Sequence, residues 1–519
     1  MRRRIAILVV ALTAGACGVP APAASDEDSA KILVGSPSTL DPAAVGDAQS
    51  ASVIGQFFES LTTFDPSLEL RPALAESWHV EDGGLRIVFH LRPNLRFSDG
   101  TPLRASDVVR SWLRVIDPDA PSPLSTLLIG VRGAREYLTG QGAATDVGLT
   151  ADDATDDVLV DLVRPAADFP AIVAGSTFGV VPPGIDDASG LRPGDAFVGS
   201  GGYRPVSSDA TSLVLAANPA YWAGRPALPT VTLVTELGGR SPVAVYEARD
   251  LDYAAVSADD ATWIAYDKTL GGQLRATPSL STDYYGFDVE TPPFDDVRVR
   301  QAFAAAVDWR RISKLAVPDP EMVATSMVPP GIPGRSGRDV LPSYDPTAAR
   351  ALLEAAGFPG GKGFPDVRLL TGGNAYDAAV VAELHRELGI TIQPEVMEFE
   401  AYFDRLDTDP PAMWFLSWSA DYPGRNDFLG VLLGSGASNN YSHWSSPEFD
   451  AAINEAGAAA DETAASAAYD RAEDIVRRDV PVIPMSYGAG WALSRDGLLG
   501  AAENGLGGLR LAGLAWGPR

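Results

Sequence analysis

The chain has 519 residues, 46% hydrophobic and 21% charged, which is enough for two or three domains around ordinary globular cores. A net charge of −28 gives a surface that repels phosphate backbones and anionic headgroups, which argues against nucleic acid as a partner. A mean hydropathy of +0.02, with only short apolar runs, argues against an integral membrane bundle.

The first residues differ from the rest. Arg2, Arg3 and Arg4 precede an apolar run from Ile5 to Leu12, then Thr13-Ala-Gly-Ala16 and Cys17. A basic start, a short apolar stretch and small residues predict a secretory leader, too short to span a bilayer comfortably. Cys17 is the single cysteine, so no disulfide forms within the chain. Its place after Ala14-Gly-Ala16 resembles the lipobox of bacterial lipoproteins, with Ala14 where leucine is commonest. That resemblance implies lipid modification at Cys17 and anchoring to the outer face of the cell membrane. Residues 18–30, rich in Pro, Ala, Ser and acids, read as a flexible tether.

Beyond residue 30 the pattern is a mixed α/β one. Leu85–Leu91 alternates apolar and polar side chains and predicts a strand. Asp107–Ile116 places Val108, Trp112, Val115 and Ile116 on one helical face, with an acid favourable in the first turn. Asp157–Leu162 alternates again. Helices are predicted over Val299–Val307, Ala348–Ala356 (stopped by Gly357), Ala378–Leu388 and Ala464–Arg478, and a strand over Ile390–Val396. No repeat of 20–50 residues recurs, and no clean βαβ series exists. The 41 prolines and 51 glycines fit a large, irregular, multi-lobed protein.

No catalytic set emerges. The four histidines, His79, His90, His385 and His443, lack metal-ligand spacing. There is no G-x-S-x-G elbow. Gly199-Ser-Gly-Gly202 runs into Tyr203-Arg-Pro205, and a proline there opposes the helix that a phosphate loop needs. Gly360-Gly-Lys-Gly363 likewise has no helix after it. Acidic clusters such as Asp152-Asp153 lack the alternating spacing of a calcium loop. These residues predict no enzyme, no cofactor and no metal.

Short segments in one fixed order carry a resemblance across nearly the whole chain after the leader. Leu40-Asp-Pro-Ala43, Phe58-Glu-Ser-Leu61 and Pro72-Ala-Leu-Ala-Glu-Ser-Trp78 open it. Phe89-His-Leu-Arg92, Phe97-Ser-Asp-Gly-Thr-Pro102 and Asp107-Val108 form its most specific stretch. Gly201-Gly-Tyr203 with Asn218-Pro-Ala-Tyr-Trp222, then Val297-Arg-Val-Arg-Gln-Ala302 with Val307-Asp-Trp-Arg310, follow. Tyr344-Asp-Pro346, Ala355-Ala-Gly-Phe358 and Pro481-Val-Ile-Pro484 complete it. The chain resembles the peptide/nickel/opine class of ABC-transporter solute-binding proteins, extracellular family 5, of the oligopeptide-binding type. Each segment also has a plain structural role, such as the turn at Asp99-Gly100 or aromatic core at Tyr221-Trp222.

The resemblance implies a two-lobed, hinged periplasmic-binding-protein-like α/β fold with an extra subdomain in lobe one. The expected division gives lobe one residues 31–57, 180–277 and 482–519, the subdomain 58–179, and lobe two 278–481. Ligand would sit between the lobes. Trp418-Ser-Ala-Asp-Tyr422 resembles the segment with which oligopeptide binders hold a peptide's α-amino group. Carried over, Asp421 pairs with that ammonium, Trp418 flanks it, and Ser419 and Tyr422 belong to the same segment. Burying an ammonium is costly without a carboxylate partner. Ser438-Asn-Asn440, Tyr441, Pro447-Glu-Phe-Asp450 and Thr145-Asp-Val-Gly148 continue the pattern. Two positions depart from it: Phe415 stands where some members carry a carboxylate-binding arginine, and Asp288 where asparagine is frequent. Tyr284 and Tyr285 are expected near the hinge, lining the cleft or packed in the core.

The implied partners are a short peptide, an ABC permease with its ATPase subunits, and the membrane surface through the lipid anchor, with the protein a monomer. The alternatives keep the fold: a non-peptide solute (an oligosaccharide, an opine or a nickel chelate) or a non-transport, envelope-regulating lipoprotein.

Overall fold

A computed structural model describes residues 29–185, 198–316, 322–437, 439–459, 462–503, 505–506 and 508–518. The leader, Cys17 and residues 18–28 lie outside the described residues, as does Ser438. The first described element is the strand β1 (Ser29–Leu33), so the last two residues of the expected tether are strand instead. The reason is register: Ser29 pairs with Thr230, and Ala30 is buried.

In chain order there follow β2 (Thr62–Phe64), β3 (Leu70–Pro72), β4 (Ala75–Glu81), β5 (Arg86–Leu91), β6 (Leu149–Asp152) and β7 (Asp157–Asp161). Next come β8 (Tyr203–Ser208), β9 (Ser212–Ala217), β10 (Thr230–Val234), β11 (Tyr253–Val256) and β12 (Leu274–Phe287). After these come β13 (Val367–Thr371), β14 (Ile392–Val396), β15 (Met413–Ser419) and β16 (Val482–Ser494). Helices at Ala105–Val115, Val297–Ala306, Pro346–Ala355, Asp377–Leu388 and Glu462–Asp479 fall within two residues of the sequence expectation at each end, because each buries one apolar face.

Ten strands form one sheet in the order β14-β13-β15-β12-β16-β11-β1-β10-β9-β8. Two of them, β12 and β16, run through both lobes. Leu274–Pro278 of β12 pairs with Ala489–Leu493, and Thr282–Gly286 pairs with Val482–Tyr487. The register breaks between Pro278 and Thr282, where a proline removes a ladder donor. On one side of that break the sheet continues through β11, β1, β10, β9 and β8. On the other it continues through β15, β13 and β14. The molecule is therefore two-lobed, with a two-strand neck.

The subdomain is a four-stranded antiparallel sheet, β4-β5-β7-β6, covered by the helix Ala105–Val115. Trp112 on that helix sits edge-on to Phe89 of β5 and Phe178. The β2–β3 hairpin reaches the other lobe: Leu68 at its tip packs with Leu280, Met327 and Ile332.

Arginines paired with buried acids tie these parts together. Arg114 donates from both terminal nitrogens to Asp41, at 3.1 and 2.6 Å, and both side chains are buried. Arg510 donates to Glu59 at 2.7 Å and to the Tyr221 hydroxyl at 2.8 Å, while that hydroxyl donates to Glu59 at 2.6 Å. Glu59's charge holds the Arg510 guanidinium above its ordinary pKa. The loop Gly199–Gly202 packs against the end of the helix Ala48–Phe57, and Gly201 N–H donates to Phe57 O at 2.8 Å. A Cβ at Gly201 would lie 2.4 Å from Gln56 O, so close backbone approach explains this glycine.

Removing Arg114 leaves Asp41 buried and unpaired. Arg114→Met is expected to cost about 3–5 kcal/mol, and Asp41→Asn in the same chain to recover a large part of it. Urea denaturation of the wild type, the single and the double variant checks this; equal loss in both variants would count against it.

Candidate functional site

β15 is paired along its whole length on one side only. Along β12 it is paired at seven positions, from Ser281↔Ser419 to Phe287↔Met413. On its other side β13 reaches only Met413 and Trp414. In an antiparallel pair, successive residues alternately turn their N–H and C=O toward and away from the partner. Ala420 N–H donates to Leu280 O, and Phe415 O accepts from the Tyr402 hydroxyl at 2.6 Å. The phase is thereby set: the N–H and C=O groups of Ser417 and Ser419 point away from β12. Among the described residues no strand meets them, and both serines are exposed. This is a short open strand edge of the kind that accepts a further strand.

The edge runs into Asp421. That side chain is half-buried, and among the described residues no hydrogen bond or ion pair reaches its carboxylate. Burial pushes its pKa up to about 6. Behind it lies Asp427, fully buried, which accepts from Trp418 Nε1 at 2.9 Å and from Asp421 N–H at 3.2 Å. Its other oxygen, Oδ1, has no hydrogen-bond partner. Burial first, and Asp421's charge second, raise the Asp427 pKa well above the carboxylate range. Two carboxyls thus share a small volume with no cation among the described residues, an arrangement that favours a positively charged group.

Tyr422 is fully buried. Its hydroxyl donates to Asp168 Oδ2 at 2.7 Å and accepts from Asn426 Nδ2 at 3.0 Å. Asp168 belongs to the subdomain, so this bond crosses to the other lobe. Ala167 N–H to Gly457 O at 3.2 Å and Arg164 to Asn454 at 3.3 Å cross beside it. A cavity of about 420 Å³ opens there, walled by Phe169 and Ile172 on one side and by Tyr422 and Asn426 on the other.

The other sequence candidates divide. Trp418 is half-buried and held by Asp427. Tyr284 is buried in the core that includes Trp444 and Phe449. Tyr285 is fully buried, donates to Asp377 at 2.7 Å, and meets the Phe415 ring at 5.0 Å, edge-on. Both tyrosines are core residues, because alternation along β12 turns one into each of the two cores that flank it. Phe415, where the resemblance places an arginine in some members, packs between Tyr285 and Tyr376. Asp288 is buried and accepts from His443 Nδ1 at 3.0 Å and Glu290 N–H at 3.1 Å. Asp427 and Asp168 were not singled out by sequence reasoning. Asp427 had a signal, an acid six residues after Asp421; Asp168 had none, lying 254 positions from Tyr422.

The model of the bacterial extracellular solute-binding proteins, family 5, matches residues 69–440. The chain is 31% identical over 472 residues to the probable deoxycholate-binding periplasmic protein YgiS of Escherichia coli, covering 87% of this chain and 86% of that one. It is 28% identical over 467 residues to the periplasmic oligopeptide-binding protein OppA of Salmonella typhimurium, covering 86% and 85%. Its fold matches the murein tripeptide binding protein MppA of Escherichia coli with a TM-score of 0.77, at 25% identity, covering 95% and 99% of the two chains.

The raised carboxyls make stability depend on pH. In the unliganded protein Asp421 holds its proton up to about pH 6, whereas in the unfolded chain it loses it near 3.8. The folded state binds more protons in that window, so stability falls as pH rises from about 4 to 6, by up to about 3 kcal/mol, and stays lower above it. Asp427→Asn keeps an acceptor for Trp418 and removes one charge. It is expected to raise the thermal midpoint at pH 8 and flatten the decline. A lower midpoint at every pH would refute the assignment.

Proposed function

The chain belongs to family 5 of the bacterial extracellular solute-binding proteins, and from that premise we propose that it captures short peptides between its lobes and delivers them to an ABC permease driven by ATPase subunits. The observation that carries this reading is the open edge of Ser417 and Ser419 ending at the unpaired carboxylate of Asp421. An extended peptide added to that edge gains backbone hydrogen bonds that do not depend on its side chains. Its N-terminal ammonium then meets Asp421, with Asp427 behind it and Trp418 alongside. Ser419 contributes backbone, and Tyr422 holds the floor through Asp168. The subdomain and the lobe bearing β15 close over the ligand. OppA and MppA, named for oligopeptide and murein tripeptide binding, support this choice of ligand.

A second reading is a non-peptide solute. It is favoured by the likeness to YgiS, named for deoxycholate binding, and by Phe415 in place of a carboxylate-binding arginine. Mass spectrometry of whatever co-purifies with the leaderless protein separates the two. Short peptides support the first, and a single apolar acid supports the second.

Asp421→Ala is expected to weaken binding of peptides with a free N-terminus by about 2–5 kcal/mol, since it leaves a buried ammonium unpaired. In the wild type, affinity is expected to rise as pH increases through about 6, because Asp421 must ionise while the peptide amine stays protonated to about pH 8. Calorimetry reads both. Affinity unaffected by the substitution would rule out the ammonium site.

We also propose that Cys17 carries a lipid anchor beyond the export leader. Cys17→Ser is expected to move the protein from the membrane fraction to the soluble exported fraction. Continued membrane association of that variant would contradict the anchor.

A further inference from the structure

β12 places Asp283 on the same face as Tyr285 and opposite to Tyr284. Its cross-strand partners are both serines, Ser417 on β15 and Ser486 on β16. Ser486 Oγ donates to Asp283 Oδ2 at 2.7 Å and shares a 2.9 Å hydrogen bond with the Tyr376 hydroxyl. The Ser417 side chain lies on the same face, directly across the strand pair from Asp283. Among the described residues no arginine or lysine pairs with this carboxyl. Three other buried acids are differently placed: Asp41 has Arg114, Glu59 has Arg510 and Glu383 has Arg311, whereas Asp377, away from the open edge, is held by neutral groups from Tyr285, Thr371 and Asn374. Asp283 is mostly buried, held by a neutral hydroxyl, and separated from the open edge only by the exposed Ser417.

A strand added to the edge of β15 runs about 5 Å from β15 and about 10 Å from β12. The added residue opposite Ser417 directs its side chain to the face on which Asp283 lies. Ser417 is too small to fill the gap, so a long stem can lie over it and bring a cationic head to the carboxylate. With the ammonium at Asp421, the first residue of the ligand lies opposite Ser419 and the third opposite Ser417.

We propose that Asp283 is the floor of a side-chain pocket that selects lysine or arginine at the third residue of the bound peptide. The proposal rests on the peptide reading above and names the ligand class within it. Asp283 supplies the charge, Ser417 the open passage, and Ser486 with Tyr376 the hydrogen bonds that fix the carboxylate's orientation.

The test is calorimetry on the full-length exported protein with five-residue alanine peptides bearing free N-termini. One set carries a single arginine at position one, two, three or four, and another a glutamate at position three. Arginine at the third position is expected to bind about tenfold more tightly than alanine there, and glutamate more weakly. In Asp283→Asn that ratio is expected to fall to about one. If the variant does not fold, the positional series on the unaltered protein decides alone. A preference at another position, a third-position preference that survives Asp283→Asn, or equal binding of the whole set overturns the assignment of Asp283. Absence of binding by every peptide overturns the peptide reading and this proposal with it, a result distinct from equal binding.

Discussion

The pairing of β12 with β16 is the constraint on which the other features depend. These two strands belong to both lobes, and their ladder changes register between Pro278 and Thr282, where one lobe gives way to the other. β15 takes its place by pairing along β12 from Ser281 onward, so its uncovered end is brought to the neck. Asp421 follows directly after that end. A ligand held there sits where a change of angle between the lobes is felt first.

Two kinds of buried acid occur in this fold, and their energetics are opposite. Asp41 and Glu59 lie in the segments that carry the family resemblance, and each is matched by an arginine from a distant part of the chain. Such pairs hold the scaffold in register, since losing either partner strands a charge. Among the described residues Asp421 and Asp427 have no such match; burial opposes the ionisation of both, and Asp421's charge adds to it at Asp427. The matched acids belong to the scaffold; the unmatched pair beside the open edge of β15 marks the candidate ligand site.

Periodicity made the regular elements legible. The strand at Arg86–Leu91 and the helices at Ala105–Val115 and Asp377–Leu388 each present one face to a core, and that leaves a trace in the sequence. The neck strands left none. Leu274–Phe287 holds a proline and a run of serine and threonine, and its burial pattern changes along its length because it serves two environments in turn. Asp421 was legible through the segment Trp418–Tyr422, whose order is specific. Asp427 and Asp168 were not, because their importance arises from contacts that only the folded chain creates. The same holds for Tyr285: two adjacent tyrosines look alike in sequence, and only the strand's alternation assigns each to its core.

The neck residues around Asp283 are small. Ser279, Ser281, Ser417, Ser486 and Gly488 cluster where the sheet passes between lobes, and Gly488 has no room for a Cβ beside Ser281. Bulky side chains at such a crossing would jam against one another as the sheet flexes. Small ones leave a hydrogen-bonded ribbon that bends without unravelling. Such a joint is stiff against sliding and soft against folding, so little chain must be ordered each time it shuts. The entropy lost on capture then falls mainly on the guest, and short or already extended guests are the ones that lose least.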